Sequence, residues 1–140
     1  MNVSTRFTIA LHVLTLLASL PEEPLTSEFI AGSINTNPAF VRRLMAMLRK
    51  ADMVTSQPGQ GGGWLMTANP RRLTLADVRR AVDEASPFAM HAAKPNPKCP
   101  VGRNIQAALA PIYCHAERIM VQDLQRTTIA SLLDSVQHHK

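Results

Sequence analysis

The sequence predicts a mainly α fold carrying one short β hairpin, and three observations predict it. Aromatic residues make up 4% of the chain against 46% hydrophobic residues overall, so the core must be built from Leu, Ile, Val, Ala and Met, a composition that favours helices. Apolar residues recur at helical spacing in several separate stretches, whereas segments suited to extended chain are confined to residues 53–57 and 64–67. Four of the six glycines lie between positions 59 and 63, so the turn between those segments is the one place built for unusual backbone angles. A chain of 140 residues with this hydrophobic content forms one domain with at most an appendage, and general disorder is excluded.

Ser4 can cap a first helix over residues 5–20. Phe7, Leu11, Leu14 and Leu17 lie on one side, with Ile9, Val13, Leu16 and Leu20 around the rest. A helix apolar nearly all round must be covered on both sides, and a second subunit is the expected cover. Arg6 followed by Phe7–Leu20 imitates a signal peptide, but the basic start is weak and Thr8, His12 and Thr15 interrupt the apolar run. The stretch is also too short and too polar to span a bilayer. It reads as a helix of the fold, with a cytoplasmic location and no membrane partner, and His12 reads as a satisfied core or interface histidine. Pro21–Pro24 turns, Thr26 can cap a short helix reaching Ser33, and Leu25 can staple onto Ile30.

Asn37 is a good N-cap and Pro38 suits the first position of the next helix. Val41, Leu44, Met45 and Leu48 form one buried stripe, leaving Arg42, Arg43, Ala46, Arg49 and Lys50 off it. Two helices joined by so short a connection, the second one basic, have helix-turn-helix geometry. Met53–Gln57 and Trp64–Thr67 can then pair across the turn Pro58–Gly63. A basic helix followed by a glycine-tipped hairpin is a winged helix-turn-helix with a two-stranded β wing, here occupying residues 1–85. Trp64 is placed to anchor the hairpin. Changing Gly61 and Gly62 to Val is expected to weaken nucleic-acid contact while leaving melting nearly unchanged.

Beyond the hairpin, Thr74–Asp77 is a capping-box-like start for a helix with Leu75, Val78 and Val82 on its apolar side. Arg71, Arg72, Arg79 and Arg80 lie close by and are at least as well read as a solvated face. Residues 86–98 lose periodicity and form a Pro-interrupted loop. Cys99-Pro100 opens a long helix over 100–125, kinked or loosened at Pro111. Thr128 can cap a last helix with Ile129, Leu132, Leu133 and Val136 inward, and His138–Lys140 read as a frayed tail. Residues 99–140 thus hold a long C-terminal dimerisation helix and a final helix.

Net charge is +5, concentrated in the first 80 residues, where nine Lys/Arg face five Asp/Glu. The positive field therefore belongs to the winged half, as contact with phosphate requires. Enzyme readings fail on spacing. Cys114 and His115 are helix neighbours diverging by about 100°. PGQGGG is followed by an extended segment with no Lys-Ser/Thr, unlike a phosphate loop. Cys99, Cys114, His91 and His115 lack the pair spacing of a zinc site, so no metal site is expected. Two alternatives stay open: a winged helix that binds proteins and not DNA, and an iron–sulfur regulator whose ligands are shared across a dimer.

The segments STRFTIALHVL, NPAFVRRLMAMLRKADMV, PGQGGGWLM, LTLADVRRAVDE and PNPKCPVGRNIQ together resemble the Rrf-two family of winged-helix transcriptional regulators, the IscR, NsrR and CymR type. The last segment resembles its YwnA-like branch. The resemblance implies a homodimer reading a palindromic site in double-stranded DNA, with the basic helix in the major groove and the wing in the minor groove. Carried onto this chain, the implied DNA-contacting residues are Arg6, Thr36, Asn37, Phe40, Arg42 and Arg43, with Gly59, Gln60, Gly61 and Gly62 at the wing tip. Cluster-binding members carry three closely spaced cysteines near position 99, where this chain has Cys99 alone. Cys114 is more than four helical turns further on, so two cysteines do not support an iron–sulfur cluster within one subunit, and no cofactor is expected. Cys99 precedes Pro100 at the N-cap of the long helix, where unpaired N–H groups and Lys98 favour a negative sulfur. It is read as a regulatory thiol, and Cys114 as a buried hydrophobe.

Overall fold

A computed structural model of the chain describes residues 5–139, so the Ser4 cap and Lys140 lie outside the described residues. In order, the elements are α1 (Arg6–Ser19), α2 (Ser27–Ile34), α3 (Pro38–Lys50), β1 (Val54–Gln57), β2 (Gly63–Met66), α4 (Leu75–Ala81), α5 (Pro100–Leu124) and α6 (Ile129–His138). They fall into two compact units, one of residues up to Glu84 together with Leu124 onward, the other of residues 85–123.

The first unit is organised around a core built from its helices and β1, with Trp64 and Met66 of β2 packed half-buried against it. Ala10, Val13, Leu14 and Leu17 of α1, Ile30 of α2, and Val41, Leu44, Met45 and Leu48 of α3 are all buried, joined by Val54, Val78, Val82 and Ile129. The helix starts follow side-chain chemistry. Thr26 accepts from the Phe29 N–H at the head of α2. Thr74 and Asp77 form a reciprocal capping box at the head of α4, and Thr128 accepts from Ser131 N–H before α6. Before α1 stands Thr5, whose side chain makes no capping hydrogen bond.

β1 and β2 pair antiparallel with Val54 opposite Met66 and Gln57 opposite Gly63. Leu25 adds a bridge on the outer edge of β2, exchanging both backbone hydrogen bonds with Trp64 at 2.7 and 3.0 Å. The hairpin is therefore clamped to the segment that leads into α2.

Two expectations for the helices are corrected. The last helix belongs with the first unit. Ile129 N–H donates to Leu73 O at 2.9 Å and Leu75 N–H to Thr127 O at 3.0 Å, which stitches the head of α6 to that of α4, and α6 then packs along α1. It is thus the chain's own α6 that covers part of the second apolar side of α1, where a second subunit was the expected cover. The inward set of α6 is smaller than expected: Ile129 is buried and Leu132 and Leu133 are half-buried, but Val136 is 57% exposed. Leu11, Leu16, Leu132, Leu133 and Val136 leave an apolar groove between the two helices.

In the second unit α5 is one continuous helix through Pro111, and no residue on it is buried. The segment before it runs antiparallel along the helix: Asn96 lies against Gly102, His91 meets Gln106 at 3.4 Å, and Phe88 stacks on Tyr113 with ring centroids 5.3 Å apart. A Cβ on Gly102 would sit 2.7 Å from the Asn96 carbonyl oxygen, so this close approach requires glycine. Cys114 is exposed, against its reading as a buried hydrophobe.

Candidate nucleic-acid interface

Asn35 ends α2 in the left-handed conformation at φ 63°, which asparagine tolerates better than most residues. The Asn35 and Thr36 N–H groups both close onto Ala31 O, and Asn37 then extends to cap α3, its Oδ1 accepting from Phe40 N–H at 2.8 Å. Two residues of reversal and one cap thus fix where α3 begins. Its apolar stripe is fully absorbed by the core, which leaves Arg42, Arg43, Arg49 and Lys50 exposed. Phe40 is half-buried and packs against the core cluster.

The wing follows from α3 with almost no slack. Met53 N–H donates to Leu48 O at 3.0 Å, and β1 starts at the next residue. Trp64 is the anchor that its position suggests: its Nε1–H donates to Ser27 Oγ at 3.2 Å and the Arg49 guanidinium lies 6.0 Å from its ring centroid, within cation–π reach. Gln60, Gly59 and Gly61 form the exposed tip. Gly59 and Gly61 have φ of 89° and 77°, angles that other residues adopt at a cost.

The neighbouring glycines are required for a different reason. A Cβ on Gly62 would collide with the Gln57 carbonyl oxygen, and one on Gly63 would sit 2.6 Å from that of Leu25. The expectation that valines at Gly61 and Gly62 leave stability untouched is therefore overturned. Gly62 packs against the opposite strand and is not free space at the tip.

Arg6 stands elsewhere. Its guanidinium donates to the Asp83 carbonyl at 2.8 Å while the next residue, Phe7, donates its N–H to Glu84 at 3.2 Å, so Arg6 holds the start of α1 to the end of α4. Sequence reasoning missed Glu28. Its Oε1 accepts from Arg42 Nη2 at 2.7 Å, which places a carboxylate of α2 against the basic face of α3. The two residues are 14 positions apart, so no local spacing in the sequence signals their pairing.

A capped basic helix clamped to a glycine-tipped wing matches known proteins over nearly the whole chain. The sequence model of Rrf2, described as an iron-dependent transcriptional regulator, matches residues 3–135. The chain belongs to the Rrf2 family. YwnA of Bacillus subtilis (strain 168), named as an HTH-type transcriptional regulator, is 38% identical over 133 residues, spanning 94% of this chain and 97% of YwnA. A crystal structure described as that of a DNA-binding protein superposes with a TM-score of 0.73 at 36% identity, covering 91% of this chain and 98% of that one. IscR of T. potens shares the fold, with a TM-score of 0.72 at 23% identity over 97% of this chain and 88% of its own.

The iron in the Rrf2 description is a separate matter from the fold. Cys99 stands immediately before α5 and Cys114 lies within it, about 22 Å apart at 1.5 Å per residue. Among the described residues no three His, Cys, Asp or Glu side chains gather where they could hold a metal ion. The donor set of one chain does not fit an iron–sulfur cluster, which takes four ligands. Cys99 occupies the capping position assigned to it: it is exposed, and its Sγ accepts from Gly102 N–H at 3.4 Å.

Proposed function

We propose that this Rrf2 protein is a cytoplasmic, sequence-specific DNA-binding regulator that acts as a homodimer on a palindromic operator. The observation that carries the reading is α3. Four apolar residues fix it in the core while Arg42, Arg43, Arg49 and Lys50 stay exposed beside a wing that follows α3 directly and is anchored to α2 through Trp64 and Ser27. Arg42 and Arg43 are the base readers in this account. Thr36 and Asn37 lie at the helix head and Gln60, with Gly59, Gly61 and Gly62, approaches the adjacent groove. Arg6 supports the interface from the α1–α4 junction. The unpartnered apolar residues of α5 support self-association, because a monomer rarely leaves so much apolar surface in water. No metal or cofactor takes part in the reading mechanism.

The exposed Cys99 thiol supports a further element, a redox-responsive regulator. Its sulfur is engaged at the head of α5, so oxidation there replaces a capping acceptor by a bulkier, more polar group. The test is DNA binding at two salt concentrations, before and after peroxide, on wild type and Cys99→Ser. A steep fall in affinity with salt, and a peroxide effect present in wild type and absent in the variant, are the expected results. Binding indifferent to salt would favour a protein-binding winged helix, and a peroxide effect that survives Cys99→Ser would remove the thiol from the account.

A further inference from the structure

We propose that Glu28 is a positioning residue that sets base selectivity by holding Arg42. The inference deepens the DNA-binding reading of α3 and rests on it. Glu28 is on α2 and Arg42 on α3, and the two meet as a charge-assisted hydrogen bond of 2.7 Å. Their side chains are 65% and 56% exposed respectively. An ion pair in that much water contributes little to folding, so stability does not account for it.

Nor does general affinity. A carboxylate beside the arginines that face DNA opposes the approach of phosphate and weakens binding to any sequence. What the pair does is restrict an otherwise flexible arginine. A guanidinium is a rigid plane with five N–H donors. With Nη2 engaged by Glu28, the remaining donors are held in a defined plane, and a guanine O6/N7 edge is read by two coplanar N–H groups. Arg43, the next residue, has no such partner among the described residues, and its guanidinium is the natural internal comparison. Glu28 thus exchanges non-specific attraction for an orientation of Arg42 that distinguishes one base from another.

The test is selection from a random duplex pool with wild type, Glu28→Gln, Arg42→Ala and the double variant, followed by titration of each against the selected site, single-base variants of it and random duplex. Glu28→Gln keeps the shape of the side chain and removes its charge, and a melting curve matching wild type is expected because the pair is exposed. The expected result is a loss of about tenfold in preference at one position per half-site, with unchanged or tighter binding to random duplex. Arg42→Ala relaxes the same position, and the double variant relaxes it no further. If Glu28→Gln changes affinity by one factor on every sequence, or if the two substitutions act independently, the inference fails while the DNA-binding reading stands. A wild type that enriches no motif overturns both.

Discussion

α3 and α5 are both amphipathic helices that can be picked out by eye in the sequence, yet they end in opposite conditions. On α3 the apolar stripe Val41, Leu44, Met45 and Leu48 is 0–2% exposed. On α5, Val101, Ile112 and Ile119 are 68%, 61% and 52% exposed, and no residue is buried. The difference lies in what surrounds each stripe. α3 is met by α2, α4 and β1 of its own unit, whereas α5 is met in its unit only by the irregular segment before it. Periodicity reports that a face must be covered. It does not say by what, and on α5 none of the 25 residues is buried.

The largest test of this contrast is Leu44→Ala against Ile112→Asp. Truncating Leu44 inside the core should cost about 2–5 kcal/mol in denaturant unfolding. Ile112→Asp should leave unfolding of the dilute protein within about 0.5 kcal/mol of wild type while weakening self-association at least about tenfold in sedimentation. Equal destabilisation by both would mean that the face of α5 is already covered within the chain. A next, smaller effect is expected at the wing. Gly63→Ala places a methyl 2.6 Å from the Leu25 backbone and should cost about 1–3 kcal/mol by forcing the clamp apart. Gly61→Ala meets no neighbour and keeps only the left-handed backbone penalty at φ 77°, about 1–2 kcal/mol. Thermal melts of the two variants should rank in that order.

Local signals were read well because their chemistry is complete within a few residues. Asn37-Pro38 caps α3, Thr74 and Asp77 close their box, and the hairpin forms at residues 54–66. What escaped depended on partners far along the chain. Nothing near Trp64 indicates that Leu25 will pair with it, and nothing near Ile129 indicates that Leu73 will accept its N–H. The run of glycines reads in the sequence as one turn of unusual backbone angles, but Gly59 and Gly61 supply such angles while Gly62 and Gly63 make room for other backbone. Glu28 and Arg42 are 14 positions apart, beyond any helix spacing, so their pair was visible only once α2 and α3 were set against each other.

A smaller effect sharpens the contrast between helix heads. Asn37→Ala removes the side-chain acceptor of Phe40 N–H and should destabilise by about 1 kcal/mol, with a further loss of operator affinity because the cap fixes where α3 begins. Cys99→Ser at the head of α5 replaces one weak cap by a better one and should change melting by less than about 0.5 kcal/mol. A larger effect at Cys99 than at Asn37 would reverse the ranking of the two heads.

The central claim is that α3 and the wing read DNA, and the most direct measurement is selection of bound sequences from a random duplex pool by the 140-residue chain. The account predicts enrichment of a motif with two-fold symmetric half-sites about one helical turn apart. Arg43→Ala should weaken binding to that motif by about 1–3 kcal/mol and relax one base position in each half. A pool that stays random after repeated rounds, with affinity independent of salt, would contradict it.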